Sequence, residues 1–138
     1  GARLAYALAC PENDVRLPDL AKLCDAFYIG GTKCGALFGE AVVIPEKRNF
    51  PFFPTTIKQH GALLAKGKAL GVQFDCLFTD NLYLQIGKHA IELADQIRSA
   101  LQKKGIPLAV SSPTNQIFIL LKKKEAERIG SRGTDPLG

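Results

Sequence analysis

Phe27-Tyr28-Ile29-Gly30-Gly31-Thr32-Lys33-Cys34-Gly35-Ala36-Leu37-Phe38-Gly39-Glu40-Ala41-Val42-Val43 is the stretch on which the fold turns. Its first part, Ala26–Ile29, is a short apolar and aromatic run bounded by glycines, which predicts a buried strand. Gly30–Gly35 predicts a tight polar loop around Lys33. Ala36–Ile44 predicts a second strand, ended by Pro45. Upstream, Gly1–Ala9 is apolar with one arginine and reads as a strand end running into a loop or short helix. Pro18-Asp19 ahead of Leu20-Ala21-Lys22-Leu23-Cys24 predicts a short helix, since proline and an acidic residue favour a first helical turn.

Downstream, the segment 46–55 with Pro51, Phe52, Phe53 and Pro54 is the best place for a domain boundary. Thr55 or Thr56 is expected to cap a long helix whose apolar residues Leu63, Leu70, Phe74, Leu77 and Phe78 keep helical spacing. Gly61, Gly67 and Gly71 interrupt that helix, each at roughly 1 kcal/mol relative to alanine, which suggests close packing against another backbone. Asp80-Asn81 caps a second helix running to about Lys104, with Ile86, Ala90, Leu93, Ala94, Ile97 and Leu101 on one stripe and Gly105 as its stop. Ile106–Val110 and Gln116–Leu121 read as two strands joined by Ser-Ser-Pro-Thr-Asn; Lys124–Ile129 reads as a final helical turn or two, and Ser131–Gly138 as a frayed tail. Interspersed strands and helices place the chain in the α/β class.

The 138 residues suit one ordinary domain or a piece of a larger one, and 46% hydrophobic with 22% charged residues argues against disorder. No apolar run approaches the ~18 residues of a membrane-spanning helix, so no membrane is expected among its partners. The net charge of +5 is uneven, with 4 basic and 5 acidic side chains in residues 1–45 and 14 basic and 8 acidic after them. The lysines are scattered apart from Lys103-Lys104 and Lys122-Lys123-Lys124, with no interleaved aromatic residues, so a solvated face is expected rather than a nucleic-acid partner. A small anion such as phosphate, held by one or two of these charges, stays open. Cys10, Cys24, Cys34 and Cys76 form no Cys-x-x-Cys pair, so no metal site is expected; free buried thiols in a reducing cytoplasm are. There is no methionine, and the chain opens directly on an apolar stretch, which leads to the expectation of an internal fragment of a longer polypeptide.

Lys33 is the residue most suited to chemistry. Small or apolar neighbours on both sides would partly desolvate its ammonium, favouring the neutral nucleophilic amine. Gly30, Gly31 and Gly35 would let a flat ring approach the backbone, and Thr32 offers a hydroxyl. That arrangement suits a Schiff base with an aldehyde cofactor such as pyridoxal phosphate. A surface lysine in a glycine-rich hairpin loop is the plainer alternative. A phosphate-cradling Walker loop fails, because Thr-Lys-Cys leading into a strand is not Gly-Lys-Ser/Thr opening a helix.

Three blocks, Gly1-Ala2-Arg3-Leu4, then Phe27 through Val43, then Ile57-Lys58-Gln59-His60-Gly61-Ala62-Leu63-Leu64-Ala65-Lys66-Gly67, closely resemble the low-specificity L-threonine aldolase family. That family lies within the aromatic amino acid beta-eliminating lyase group of pyridoxal-phosphate enzymes, and the blocks match in order over about residues 1–120. The resemblance implies an aspartate-aminotransferase-like fold (type I), with residues 1–54 ending the large cofactor domain and 55–138 forming an interdomain helix and part of a small α+β domain. It implies that Lys33 forms the Schiff base and that Arg3, the arginine of an Asp-Gly-Ala-Arg motif, contacts the cofactor and the substrate carboxylate. It puts Thr32 near the cofactor and Lys58 where a basic residue reaches a neighbouring subunit's cofactor phosphate. The implied reaction is retro-aldol cleavage of L-threonine and L-allo-threonine to glycine and acetaldehyde, in a homodimer or homotetramer. The motif's aspartate would precede Gly1, and the phosphate loop and ring-stacking histidine would lie further upstream. A second carboxylate-binding arginine would lie past the matching region, with Arg128 and Arg132 poor substitutes. The chain is therefore expected to be truncated at both ends and inactive alone.

The remaining candidates are plainer. His60 and His89 read as packing or surface histidines, Glu40 as a salt-bridged or exposed carboxylate, and Cys34 as a small buried filler rather than an active thiol. Tyr6, Tyr28 and Tyr83 read as core or interface aromatics. Another β-eliminating lyase or aminotransferase relative, and a non-catalytic scaffold that lost the chemistry, remain alternatives.

Overall fold

The computed structural model describes residues 1–46 and 50–133. The described part of the chain runs α1 (Leu4–Ala9), α2 (Leu17–Leu23), β1 (Phe27–Gly30), β2 (Glu40–Val43), α3 (Phe53–Gln59), α4 (Lys68–Phe78), α5 (Leu82–Lys103) and α6 (Lys123–Gly133). β1 and β2 pair antiparallel, with Phe27 opposite Val43 and Gly30 opposite Glu40. On the other side of β1, the Gly1 nitrogen donates to Tyr28 O at 2.7 Å and Gly30 N–H donates to Gly1 O at 3.2 Å. That is the hydrogen-bond pattern of a parallel pairing, so Gly1 lies beside β1 before the chain turns into α1.

The second strand starts four residues later than the sequence predicts. Gly39 has φ of +82°, and the Gln73 side chain takes the backbone of 37–38 out of the ladder. Its Oε1 accepts from Leu37 N–H at 2.7 Å and from Phe38 N–H at 3.4 Å, while its Nε2 donates to Phe38 O at 3.3 Å. The backbone groups that would have paired in a strand are satisfied by one amide of α4 instead.

The long helix predicted from Thr55 to Phe78 is two helices. Gly61, at φ +68°, closes α3: Ala62 N–H donates to Ile57 O and Gly61 N–H to Lys58 O. This is the Schellman arrangement, and Gly105 repeats it at the end of α5 with Ile106 to Leu101 and Gly105 to Gln102. Between α4 and α5 the chain reverses through Asp80 and Asn81, both in the left-handed region that these residue types tolerate. Asn81 occupies the N-cap of α5 without a side-chain cap bond; Gln85 Nε2 reaches back to Asp80 O at 2.7 Å.

The core gathers Ala5, Tyr6, Ile29, Cys34, Ala36, Phe74, Leu77 and Tyr83. It therefore draws on residues before and after the 46–55 segment. The buried line on α5 is Tyr83, Gly87, Ile91 and Ala94, whereas Leu93 and Ile97 of the predicted stripe are exposed. Helix α1 sits against α5 so closely that a Cβ on Gly87 would lie 2.5 Å from Ala5 O. By contrast, nothing lies within 4 Å of a Cβ on Gly61 or Gly71, and a Cβ on Gly67 would meet only the nearby Leu64, its O at 3.3 Å, so the tight contact with another helix is at Gly87. Of the cysteines only Cys34 is buried; Cys76 is exposed.

The two predicted strands near the C-terminus shrink to one bridge, Leu108 with Ile119, flanked by Ala109 N–H to Phe118 O at 2.8 Å. Arg98 ties this segment to α5, with its Nη1 donating to Thr114 O at 2.8 Å and its Nη2 2.6 Å from Asp95 Oδ1. The helix expected over Lys124–Ile129 runs from Lys123 to Gly133 and so takes in Ser131, where the tail is expected to begin. Its remainder, 134–138, lies outside the described residues. No described helix is long and apolar enough to cross a membrane.

Candidate active site

The Lys33 turn is built on two close backbone contacts. A Cβ on Gly30 would meet Ala2 Cα at 2.5 Å, and one on Gly31 would meet Ala36 Cβ at 2.7 Å and the Phe74 ring at 3.0 Å. Only glycine fits at either position. The room these glycines leave is therefore filled from inside the protein, and not held open for a flat ring as their composition alone suggests. Gly31 O accepts from Cys34 N–H at 2.8 Å and Ala36 N–H at 3.0 Å, which folds 31–36 back on itself. Gly35, at φ +100°, carries the chain out of the turn.

Cys34 points inward at 0% exposure, while Thr32 and Lys33 on the same turn are exposed. The desolvation of Lys33 expected from its neighbours is not supplied by the described residues: glycine and alanine have no bulk to shield it, and the cysteine packs below. Beneath the turn, Tyr6 of α1 donates its hydroxyl to Lys33 O, and Tyr83 of α5 donates to Gly30 O at 3.0 Å. The Cys34 thiol lies against both phenols. Burial pushes the pKa values of Tyr6, Tyr83 and Cys34 up, so all three hold their protons at neutral pH.

Arg3 is exposed at the N-cap of α1, directly after the Ala2 backbone that packs on Gly30. Arg3 follows the Ala2 backbone that packs on Gly30, and Lys33 follows Gly30 by three residues, so both branch from the chain near the C-terminal end of β1. Lys58 is exposed on α3, a helix whose hydrogen bonds all run among residues 50–62, and no described bond ties it to the turn. Glu40 and His89 are exposed; the exposed His60 ring places Nδ1 2.9 Å from Thr56 O. Among the described residues no three His, Cys, Asp or Glu side chains cluster to hold a metal. A cleft of about 450 Å³ lies between Ile44 and Phe50–Pro54.

The sequence reading missed what Tyr6 and Tyr83 do. The available signal was that a buried tyrosine hydroxyl needs a partner, and a glycine-rich turn offers unpaired carbonyls.

No family model matches the chain. A low-specificity L-threonine aldolase from a Pseudomonas strain is 26% identical over 110 residues, 79% of this chain and 32% of that protein. A threonine aldolase of known structure from Leishmania major is 44% identical, with a TM-score of 0.85 over 95% of this chain and 38% of that one. The chain thus spans well under half the length of either. It is threonine-aldolase-like in sequence and backbone, and its fold is the corresponding part of the aspartate-aminotransferase-like α/β fold.

Proposed function

We propose that this chain forms part of a pyridoxal-phosphate-dependent aldehyde-lyase that cleaves L-threonine and L-allo-threonine to glycine and acetaldehyde. The observation that carries the reading is the likeness to the Leishmania major threonine aldolase, 44% identical, covering 95% of this chain. The donor set fits the cofactor. Lys33 offers an exposed primary amine on a turn fixed from below, and Arg3 offers a guanidinium at the same end of β1. When bound, the cofactor supplies an electron sink for the charge left on Cα as the Cα–Cβ bond breaks.

The chain's own residues have the following roles. Lys33 holds the cofactor covalently through Nζ. Arg3 binds the substrate carboxylate, where a planar fork engages both oxygens as a lysine could not. Thr32 sits beside the cofactor, and Lys58 offers its ammonium to a cofactor phosphate in a neighbouring subunit. Residues 1–54 complete the large domain, and 55–138 supply the interdomain helix and part of the small domain. Leu37 at 86% exposure, Phe52 at 81% and Leu63 at 65% fit faces covered in a homodimer or homotetramer. The isolated chain is inactive on this reading, because the described residues leave the Lys33 amine exposed.

The test uses the full-length protein loaded with pyridoxal phosphate, with L-threonine, L-serine and L-tyrosine as substrates. Glycine and acetaldehyde from L-threonine, lost in Lys33→Ala, is the expected result. Products of β-elimination instead would assign the chain to another lyase of the same cofactor. No product from any of the three would leave a scaffold without chemistry.

A further inference from the structure

The Lys33 ammonium has no hydrogen bond or ion pair among the described residues, so its position depends on its backbone. That backbone is a turn whose own bonds close only on Gly31 O, by Cys34 N–H at 2.8 Å and Ala36 N–H at 3.0 Å. Two carbonyls, Gly30 O where the chain enters the turn and Lys33 O at the lysine itself, each receive a phenol from a different helix. Tyr83 is 1% exposed and comes from α5; Tyr6 is 7% exposed and comes from α1. The two helices are locked together at Gly87, where a Cβ would fall 2.5 Å from Ala5 O and 3.0 Å from Ala9 Cβ. Cys34 fills the space between the phenols at 0% exposure.

We propose that Tyr6 and Tyr83 are positioning residues for Lys33, a pair of hydroxyl donors that hold the backbone at Lys33 O and Gly30 O and set where the amine stands. The inference rests on the assignment of Lys33 as the cofactor lysine. It follows from geometry: Cys34 and Ala36 seat the turn in the core, and the two carbonyl bonds tie the backbone on either side of Thr32 to α5 and α1. Both donors keep their protons because burial disfavours the phenolate, and the grip is therefore in place at neutral pH. Tyr83 also links the turn to α5, so a shift of that helix is transmitted to the lysine through Gly30 O.

The experiment compares full-length holoenzyme with Tyr6→Phe, Tyr83→Phe and the double variant. Four quantities are read: Tm, the pH midpoint of the bound cofactor's visible absorbance, the rate at which borohydride fixes cofactor to Lys33, and kcat against KM for L-threonine. The expected result is a shifted absorbance midpoint, slower fixation, and kcat lower by about tenfold per lost donor with KM changed far less. A fall in Tm alone, with midpoint, fixation rate and kcat within twofold of the parent, would reduce the two tyrosines to core packing and overturn the proposal. Should Tyr83→Phe fail to fold, Tyr6→Phe decides by the same readouts. If borohydride fixes no cofactor to Lys33 in the parent protein, the lysine assignment itself has failed, which is distinguishable from normal fixation in parent and variants alike.

Discussion

Two glycines on helices make opposite predictions for the same substitution. Gly71 lies inside α4 and Gly87 inside α5, so helix propensity alone would have alanine stabilise either by about 1 kcal/mol. At Gly71 nothing stands within 4 Å of the new methyl group, and that gain should appear nearly in full. At Gly87 the methyl would stand 2.5 Å from Ala5 O, 2.9 Å from Ala5 C and 3.0 Å from Ala9 Cβ. Two of those atoms are backbone of α1, so relief requires the helix to move. Overpacking of this kind costs about 1–3 kcal/mol, and displacing α1 also loosens Tyr6 from the turn, so Gly87→Ala should be destabilising by about 1–2 kcal/mol net. Urea denaturation of the two variants beside the parent measures both signs in one experiment. Equal stabilisation of both would refute the α1–α5 contact as described.

Three further outcomes follow from single features. Stability should fall above about pH 9, where the unfolded Cys34 thiol and then the Tyr6 and Tyr83 phenols ionise while the folded state keeps their protons. Because folded values are raised, the contribution is complete below the unfolded values and lost as pH rises through the folded ones; Tyr83→Phe should flatten the decline in a urea-midpoint series from pH 7 to 11. Gly30→Ala, with its Cβ 2.5 Å from Ala2 Cα, should push Gly1–Ala2 off β1, lowering Tm and weakening substrate binding through Arg3, read as a higher KM. Gln73→Ala should cost about 0.5–1.5 kcal/mol and speed hydrogen exchange at the Leu37 and Phe38 amides, which its side chain holds at 2.7 and 3.4 Å; unchanged exchange there would count against that bracket.

Local chemistry made much of this architecture legible in the residues. The apolar run Ala26–Ile29 stopped by Gly30-Gly31 placed β1, and the Pro-Asp pair placed α2. Gly105 was readable as a helix stop because the apolar spacing ceases there. Gly61 makes the same bonds, yet apolar residues continue past it at helical intervals, so spacing overrode the stop signal. Gly87 was invisible for the opposite reason: its cause is the α1 backbone, distant in sequence. Strand length failed at Ala36–Gly39 because a single glutamine, 36 residues away, satisfies that backbone. At the site, the Lys33 turn was legible from its glycines, but their purpose was not, since Ala2, Ala36 and Phe74 occupy the room they leave. The tyrosine grip could not be read because a hydroxyl's partner is set by the fold.

On the proposed reading the Lys33 amine is the group that carries the cofactor. Borohydride reduction of the full-length protein with pyridoxal phosphate, followed by peptide mass mapping, tests this. A single pyridoxyl adduct on the peptide containing Lys33, absent from Lys33→Arg, is the expected result. An adduct of equal yield on another lysine, with Lys33 unmodified, would contradict it.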